Sequence, residues 1–376
     1  MSSPSNARDG ARGRQDRDPR GGSGERAPGA RIARAALWAV AALAILYPVA
    51  LAVAWVLLWF VGERWWATGL ALYVPMLSFG APLPVLLALL LLTRRRGLLW
   101  TQGVAAVILV FGLMGFVLPR PRFGAPSTPV VRVLSFNVDS GRAGFDRIVA
   151  EIDRYSPDIA VLQEVAHTEA LEPTLRERYA TVIAQGQFVL ATRYPVLSTK
   201  EPDKLSYSGK QRSPRFLQHV LDTPLGQIAL YDVHPLSPRE DLGAIRGKRG
   251  LRREILSGRL LHPPGAEIIQ ENSGLRALQA QTFAEQASRE TLPTIIAGDT
   301  NLPSLSNIFE ATLSRFQDGF REAGWGFGYT FPAKRPWMRI DRIMASASLR
   351  FIRFAVGNSG ASDHRCVVAD ITSAPP

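Results

Sequence analysis

Five short groups of acidic, amide and histidine side chains stand where apolar runs give way to polar sequence. They lie at residues 134–139 (LSFNVD), 161–164 (VLQE), 231–234 (YDVH), 298–301 (GDTN) and 362–364 (SDH). The apolar runs have the length and composition of buried strands, so the polar groups stand at strand ends. Hard oxygen ligands and two histidines in such positions are the groups that metal-assisted phosphoryl chemistry requires.

Taken singly, most of these groups have an ordinary structural explanation. Glu164 alone is better explained as a capping or ion-pairing carboxylate, and a lone histidine such as His234 is more often a core residue. Asn137 ends the preceding strand, however, so Asn137 and Glu164 together supply oxygens that suit a Mg²⁺ ion. Asp299 is placed to orient or deprotonate an attacking water, and Asn301 to hold a phosphate oxygen.

The last of the five groups differs from an ordinary turn. Asp363 and His364 are adjacent titratable side chains that come immediately before the strand predicted at 366–371, which begins with the apolar run 366–369. Two such groups ahead of a buried strand are unusual in a purely structural segment. The five groups together therefore indicate a catalytic site.

The elements that must position these groups form the globular part of the chain, from residue 130 onward. Strands are predicted at 131–138, 159–165, 187–192, 216–221, 227–233, 294–297, 340–345, 349–356 and 366–371, and helices at 145–152, 169–179 and 275–288. The turn signal DTPLG at 222–226 predicts an antiparallel hairpin from the strands on either side. The mixture of patterns predicts an α/β fold, a four-layer sandwich of two mixed β-sheets flanked by helices.

Three long segments upstream of this domain contain no charged residue. They are residues 35–62, 65–92 and 97–118. A transmembrane helix needs about 20 predominantly apolar residues, and each segment is long enough. One such stretch is compatible with a buried core helix, but three in succession predict a three-span transmembrane region over residues 35–118. Pro75, Pro82 and Pro84 interrupt the second segment, which is therefore expected to be kinked or re-entrant.

The remaining boundaries follow from composition. Residues 1–34 are rich in Arg, Gly, Ser and Pro and predict a disordered basic tail, and residues 119–129 predict a Pro-rich linker to the catalytic domain at 130–376. Residues 237–273 lack a regular pattern and are interpreted as a basic surface insertion. The alternative is a flap over an anionic substrate or a lipid surface.

The net charge of +12 does not by itself indicate nucleic-acid binding. Residues 1–118 hold 12 of the 44 basic and 5 of the 32 acidic residues, which leaves the globular part at +5. The eight arginines of the tail and the arginines at 94–96 place both parts in the cytoplasm by the positive-inside tendency. With three spans, we expect the catalytic domain on the extracytoplasmic side of the cell (inner, cytoplasmic) membrane.

One known family carries side chains of these types in this order. In sequence they are Asn137, Glu164, His234, Asp299 with Asn301, and Asp363 with His364. The order resembles the endonuclease/exonuclease/phosphatase superfamily, which includes deoxyribonuclease-like enzymes, abasic-site endonucleases, neutral sphingomyelinases and inositol-polyphosphate phosphatases. The resemblance covers about residues 130–371, and the stretches 192–196 (TRYPV) and 340–343 (IDRI) resemble two further markers of the family.

The resemblance implies how a cation and a water molecule would be held. Glu164 would be the principal ligand of Mg²⁺, or of Mn²⁺ as an alternative, with Asn137 nearby and Asp363 assisting. Asp299 would align the nucleophilic water, and Asn301 would contact the scissile phosphate. The number of metal ions is left open.

The same resemblance implies roles for the two histidines. His234 would hydrogen-bond the phosphate or protonate the leaving oxygen. His364 would stabilise charge that develops on the phosphate or act as a base, oriented by Asp341. Arg339 is a candidate substrate contact at the rim of the site, and a surface salt bridge is its alternative.

The leading hypothesis is a membrane-anchored, Mg²⁺-dependent phosphoesterase that hydrolyses a phosphodiester by in-line attack of water. Its expected partners are the lipid bilayer and a phosphate-ester substrate, either nucleic acid or a phospholipid headgroup. Aromatic residues in 325–337 are placed to stack on bases, to insert into lipid, or simply to pack the loop. The rival class is a non-catalytic membrane receptor or scaffold that retains the fold.

Overall fold

The computed structural model describes residues 28–118, 129–238, 266–358 and 360–375. The predictions for the tail before residue 28, for linker residues 119–128 and for insertion residues 239–265 lie outside the described residues.

The strands carry the numbers β1 to β14 in chain order. They are β1 (Val131–Asn137), β2 (Ile159–Gln163), β3 (Thr181–Gln185), β4 (Phe188–Thr192), β5 (Val196–Lys200), β6 (Leu205–Tyr207), β7 (Lys210–Arg212), β8 (Phe216–Thr223), β9 (Gly226–Val233), β10 (Thr294–Asp299), β11 (Gln317–Asp318), β12 (Asp341–Ala345), β13 (Leu349–Val356) and β14 (Val367–Ser373).

The α-helices are numbered in the same way. They are α1 (Pro28–Phe60), α2 (Trp66–Ala71), α3 (Pro82–Leu92), α4 (Leu99–Val107), α5 (Phe145–Tyr155), α6 (Thr168–Arg176), α7 (Ala266–Arg289), α8 (Asn307–Leu313) and α9 (Gly319–Ala323).

Two six-stranded mixed sheets form the centre of the globular part. The first has the order β13-β14-β1-β2-β4-β3 and the second has the order β11-β12-β10-β9-β8-β5. Strand β1 is parallel to β2, and β9 is parallel to β10. Because parallel strands end at the same edge of a sheet, the residues that follow each of these pairs lie side by side.

The hydrophobic core of the globular part forms three layers, one between the two sheets and one on the outer face of each sheet. Between the sheets, side chains such as Val133 and Val161 of the first pack against Leu230, Ile295 and Ile343 of the second. Helices α5 and α6 cover the outer face of the first sheet, and α7 and α8 cover that of the second. Alternation of side chains along each strand produces this arrangement, and it confirms the predicted sandwich of two mixed sheets flanked by helices.

Most predicted elements of the globular part are present with shifted ends. Strands β8 and β9 form the predicted antiparallel hairpin, with Thr223 paired to Gly226 at the turn. The prediction of an irregular segment up to residue 273 is wrong at its end, since α7 begins at Ala266. Helix α7 buries Ile269, Leu275 and Phe283. Of these, Phe283 packs with Ala280 in the apolar cluster on the outer face of the second sheet, which stabilises the helix there.

The prediction of a disordered tail through residue 34 is also wrong at its end. Helix α1 begins at Pro28 and continues for 33 residues to Phe60. Arg31 and Arg34 are therefore the basic start of an apolar helix. Proline is well tolerated at a helix start because its missing N–H has no partner there in any case.

The prediction of three membrane-spanning helices is corrected at the second segment. Two helical stretches are long and apolar enough to cross a membrane, Arg31–Phe60 and Arg96–Leu113, while the apolar stretch Met76–Leu92 is shorter. Helix α2 ends at Ala71, a short 3₁₀ turn follows Pro75, and α3 starts anew at Pro82. Each proline lacks the N–H that would continue the preceding helix, so the chain forms separate pieces.

The surface of this helical region is strongly apolar. Its exposed large side chains include Trp38, Leu46, Val53, Phe60, Leu92, Trp100 and Val107. The end of this region packs on the globular domain. Val117 forms a β-bridge with Gly326, and Tyr329 Oη donates to Met114 O at 2.8 Å. An apolar surface of this extent is unusual for a protein surrounded by water.

Candidate active site

Asn137 connects the ends of the two sheets. Its Nδ2 atom donates to Glu164 Oε1 at 2.9 Å and to Asp299 Oδ2 at 3.0 Å. Asn137 and Glu164 lie at the ends of the parallel strands β1 and β2, while Asp299 ends β10 in the other sheet. The amide therefore holds two carboxylates, which are 135 positions apart in the sequence, at one edge of the sandwich.

His234 lies beside both of these carboxylates. Its Nε2 atom is 3.3 Å from Glu164 Oε1 and 3.7 Å from Asp299 Oδ2. The other ring nitrogen, Nδ1, is 2.7 Å from Gln187 Oε1, which fixes the plane of the ring. Buried and held in this way, the imidazole directs one nitrogen into the cluster.

His364 lies near the same oxygen of Asp299 as His234 does. Its Nδ1 atom is 3.0 Å from Asp341 Oδ2, and its Nε2 atom is 3.7 Å from Asp299 Oδ2. The Phe331 ring packs against the imidazole with a centroid distance of 4.7 Å. Asp363 is farther out and half-buried, with Oδ1 3.9 Å from His364 Nε2.

The two carboxyl groups, Glu164 and Asp299, have pKa values that are shifted in opposite directions. Burial favours the neutral form of Glu164, but His234, the Asn137 amide and His364 outweigh it and lower the pKa of the carboxyl to about 2. Burial, together with the Asp341 charge, raises the pKa of Asp299. These shifts make the carboxyl of Glu164 easier to ionise than that of Asp299.

The pKa of His364 is raised to about 9. Burial alone would lower it, but the carboxylates of Asp341 and Asp299 and the hydrogen bond to Asp341 favour the protonated ring. In the metal-free protein, His364 is therefore an imidazolium at neutral pH. A positive ring at this position suits the stabilisation of negative charge on a phosphoryl group.

Three residues of the site adopt backbone conformations with positive φ. Glu164 has φ +55° and Asn301 has φ +52°, both rare for residues other than glycine. Gly298 has φ +154°, and a Cβ atom there would lie 1.9 Å from Val233 O. The glycine thus permits β10 to lie against β9 next to Asp299, and the strained residues are clustered at the site.

The donor set fits a hard divalent cation. Glu164, His234 and Asp299 each offer one ligand atom, and these atoms lie within 4.8 Å of one another. Asp299, Asp341 and His364 form a second group of the same kind. Glu164 retains 28% of its side-chain exposure, so an ionised carboxylate at this position is accessible from solvent. Carboxylates with an adjacent amide are ligands that Mg²⁺ or Mn²⁺ accepts.

Asn301 is next to the cluster, whereas Arg339 is not. Asn301 N donates to Asp299 Oδ1 at 2.9 Å, and its Nδ2 donates to Pro235 O at 3.0 Å. Arg339 is 3% exposed and pairs with Asp318 at 2.6 Å, away from the clustered carboxylates. The structure thus brings every predicted site residue together except Arg339, whose guanidinium lies in a buried ion pair instead of at a rim.

Sequence reasoning missed Gln187 and Gln163, which form hydrogen bonds with residues of the site or next to it. Gln187 follows Gly186 in the turn between β3 and β4, and its contact with His234 spans 47 residues. Gln163 Nε2 donates to the buried Asp232 Oδ1 at 2.7 Å, directly behind Glu164. No local pattern marks these residues, because each depends on strand pairing that only the folded chain provides. Only the position of Gln163, directly before Glu164, could have indicated from the sequence that Gln163 lies near the site.

The chain belongs to the endonuclease/exonuclease/phosphatase family, which matches residues 134–364. Members of this family are metal-dependent phosphoesterases or nucleases. The matched range begins in β1 and ends at His364, so it includes all the clustered residues. Comparison with curated proteins gives no significant match.

Solved structures of this fold resemble the globular part at low identity. An endonuclease/exonuclease/phosphatase from Beutenbergia cavernae is 18% identical, covers 65% of this chain and 72% of its own, and has a TM-score of 0.45. TDP2 of Caenorhabditis elegans, in truncated form, is 18% identical over 65% of this chain and 98% of its own, also with a TM-score of 0.45. A mannosyl-6-phosphatase from Bacteroides thetaiotaomicron is 16% identical over 64% and 99%, with a TM-score of 0.44.

Proposed function

We propose that this chain is a membrane-anchored, Mg²⁺-dependent phosphoesterase that hydrolyses a phosphodiester by in-line attack of water. The observation that carries the proposal is the convergence of Glu164, Asp299, His234 and His364 on one point at the edge of the sandwich. Side chains from four separate parts of the chain meet there with charges of both signs. Family membership supplies the reaction class, and this geometry supplies the groups that the reaction needs.

Glu164 holds the Mg²⁺ ion in this proposal, with Asp363 assisting from the exposed side. Asn137 is nearby and fixes the Glu164 carboxylate through Nδ2, while its Oδ1 accepts from Asp139 N. When bound, the ion neutralises charge on the phosphate and polarises it toward attack. Asp299 orients the attacking water, because its carboxylate is fixed by the Asn137 amide and by Asn301 N. The remaining Nδ2–H of Asn301 is available to a phosphate oxygen.

In this proposal both histidines interact with the phosphate. His364, oriented by Asp341 through Nδ1, directs its charged Nε2–H toward the position where negative charge develops. His234, oriented by Gln187, binds a phosphate oxygen or protonates the leaving oxygen. Asp341 and Gln187 therefore act through the rings that they hold.

The aromatic loop before β12 favours a phospholipid headgroup over nucleic acid as the substrate. Phe116, which follows the apolar stretch Arg96–Leu113, contacts Trp325 and Phe327 edge to face, and Trp325 is 70% exposed. A cleft of about 560 Å³ runs between this loop and Arg365, the neighbour of His364. Amphipathic aromatic rings beside an apolar helix end are typical of the membrane interface.

The helical region supports membrane anchoring with the catalytic domain outside the cytoplasm. The turn after α3 lies beside the first third of α1, since the Arg95 guanidinium is 5.4 Å from the Trp38 ring centre. The end of α1 instead contacts the catalytic domain, where Asn307 Nδ2 lies 3.4 Å from Phe60 O. The three arginines at 94–96 and the catalytic domain thus lie at opposite ends of the helical region, and the positive-inside tendency places these two ends on opposite sides of the membrane.

The metal-dependent part of the proposal is tested with the full chain in detergent micelles, because the catalytic domain makes many contacts with the helical region. We expect Mg²⁺ to raise the unfolding temperature, corresponding to about 2.7 kcal/mol at a hundredfold excess over Kd. The shift should disappear in Glu164→Ala and persist in Glu169→Ala, whose carboxylate is exposed. An equal shift in both variants would exclude Glu164 as the principal ligand.

Turnover separates the enzyme from a non-catalytic receptor that retains the fold. Bis(4-nitrophenyl) phosphate, sphingomyelin vesicles, DNA and RNA are each incubated with the full chain and Mg²⁺. We expect hydrolysis of the generic diester and of the lipid, abolished by EDTA. Mg²⁺ binding without hydrolysis of any of the four would favour the receptor, and hydrolysis of DNA or RNA but not lipid would reverse the substrate assignment.

A further inference from the structure

Asn301 receives one of its hydrogen bonds from outside the catalytic domain. Tyr73, in the segment between the two long apolar stretches, donates its hydroxyl to Asn301 O at 3.0 Å across 228 positions in the sequence. The backbone N–H of Asn301 is bound to Asp299, and its side-chain amide is bound to Pro235 O. Three separate contacts thus hold this residue, and the helical region supplies the contact to its carbonyl oxygen.

The tyrosine is itself held in place. The guanidinium carbon of Arg276, a residue of α7 that is 1% exposed, lies 5.7 Å from the centre of the Tyr73 ring. A cation beside the ring face attracts it, and the two side chains pack between α2 and α7. Tyr73 is therefore fixed by the catalytic domain while it fixes Asn301 in return.

Glu63 secures the far end of the same loop. This residue is 4% exposed; its Oε1 accepts from Ser306 Oγ at 2.5 Å and its Oε2 from Asn307 N at 2.9 Å. Ser306 in turn caps α8 by accepting from Phe309 N. The loop from Asn301 to Asn307 is thus attached to the helical region at both ends.

The conformation of Asn301 explains why such attachment matters. Its φ of +52° lies in the left-handed region, which asparagine tolerates better than most residues with a Cβ but which is still less favourable than the ordinary conformations, so surrounding contacts help to hold it. Loss of the Tyr73 hydroxyl leaves the Asn301 carbonyl without this donor, and the peptide can relax toward an ordinary conformation. The amide of Asn301 would then move away from the position that we assign to the phosphate.

We propose that Tyr73 is a positioning residue for Asn301, so that the helical region forms part of the catalytic apparatus as well as an anchor. This inference rests on the proposed function insofar as Asn301 contacts the scissile phosphate. It requires that the hydroxyl group, and not merely the tyrosine ring, controls the loop after β10.

The test compares Tyr73→Phe with Tyr47→Phe in the full chain in detergent micelles. Tyr47 is the matched control, since its hydroxyl also donates to a backbone carbonyl, Phe79 O at 2.9 Å, but within the helical region. With bis(4-nitrophenyl) phosphate and Mg²⁺, we expect kcat to fall about tenfold in Tyr73→Phe, as for the loss of one buried hydrogen bond. KM and the Mg²⁺-induced shift should change little. The unfolding temperature should fall by a similar small amount in both variants, because each loses one hydrogen bond, and kcat of Tyr47→Phe should equal that of the wild type.

Hydrogen–deuterium exchange gives a readout that does not depend on turnover. Peptides that cover residues 299–307 should exchange faster in Tyr73→Phe and unchanged in Tyr47→Phe, while peptides from β1 and β2 remain protected. Unchanged exchange in this loop would overturn the positioning role, whether or not activity is detected. Faster exchange together with wild-type kcat would show that the hydroxyl holds the loop without serving catalysis, which also overturns the proposal. Absence of activity in the wild type would contradict the proposed function. The exchange result would then show by itself whether the Tyr73 hydroxyl holds the loop at residues 299–307.

Discussion

His364 and Asp341 are joined by a contact of 3.0 Å between Nδ1 and Oδ2, and both side chains are buried. Asp341 begins β12 opposite Asp299 of β10, so the antiparallel register places both carboxylates beneath the imidazole. This relationship sets the charge of the ring and the direction of its Nε2 atom. It makes Asp341 the first target for substitution.

Asp341→Asn should separate orientation from charge at His364. An amide in place of the carboxylate removes the main group that raises the pKa of His364 to about 9, so this pKa should fall. We expect kcat to decrease by about 10²–10⁴-fold, the range found for misplaced general acid–base groups. The pKa is measured by NMR titration of the metal-free protein, and kcat with bis(4-nitrophenyl) phosphate.

Asp370→Asn is the control for this substitution, because Asp370, in the middle of β14, pairs with the partly exposed Arg132 of β1 instead of with a site residue. Its kcat should equal that of the wild type. An Asp341→Asn variant with normal kcat would show that the contact with His364 is structural.

Gly298→Ala should destabilise the fold next to Asp299. The new Cβ would lie 1.9 Å from Val233 O, so β9 and β10 must separate, at a cost of roughly 2–5 kcal/mol from overlap and backbone strain. Gly226→Ala is the control, since Gly226 also has a positive φ but nothing within 4 Å of the added Cβ, and should cost about 1–2 kcal/mol. Chemical unfolding measures both, and equal losses would mean that the overlap relaxes without cost.

The buried ion cluster around Asp318 should control stability at low pH. Asp318 lies 2.6 Å from both Arg339 and Arg342; burial opposes its charge, but these arginines lower its pKa below the ordinary 3.8. A depressed carboxyl pKa contributes stability that is present above about pH 4 and lost as the pH falls further. Asp318→Asn should cost about 3–5 kcal/mol at pH 7 and reduce the loss of stability on acidification.

The exposed pair of Asp153 and Arg178 supplies the comparison for that substitution. Asp153→Asn should change the free energy of unfolding by less than about 1 kcal/mol, because water screens the pair. Both variants are measured by urea unfolding between pH 3 and pH 7. Similar values at pH 7 would remove the distinction between the buried and the exposed pair.

Asp232→Asn should change the free energy of unfolding in the opposite direction to Asp318→Asn. Burial raises the pKa of Asp232 well above 3.8 despite the hydrogen bond from Gln163, so the folded protein retains a proton that the unfolded chain releases. This carboxyl thus contributes stability below about pH 4 that is lost as the pH rises toward its folded pKa. The variant should be more stable than the wild type at pH 8 in EDTA, with a smaller decline between pH 5 and pH 8.

Asp222, an exposed residue of β8, provides the matched control. Asp222→Asn should leave the pH dependence of unfolding unchanged. If Asp232→Asn is less stable than the wild type at pH 8, the carboxylate is ionised in the fold and has a favourable partner.

The site could be predicted well because its residues are placed by short-range rules. Apolar runs predicted β1, β2, β9 and β10, and a strand end fixes where the next polar side chain emerges. Asn137, Glu164, His234 and Asp299 were therefore recognisable from the sequence before any distance was known. Arg339 was misplaced, since its partner Asp318 stands on a two-residue strand that has no local signal.

The helical region shows the opposite case. Composition predicted three spans, with the second kinked or re-entrant at its prolines, but it does not show that Tyr73, which lies between α2 and Pro75, reaches the catalytic domain. Nothing near Glu63 in the sequence shows that its buried carboxylate lies opposite Ser306 and Asn307.

The sequence by itself determined the kinds of side chain, the strand ends that carry them and the apolar stretches, because these depend on hydrophobic period and local backbone preference. Tertiary structure alone decided that Asn137 bridges Glu164 and Asp299, that Gln187 orients His234, and that Tyr73 reaches Asn301. Such contacts join residues that are tens to hundreds of positions apart. Their distances follow from strand register and sheet packing, which are collective properties of the folded chain.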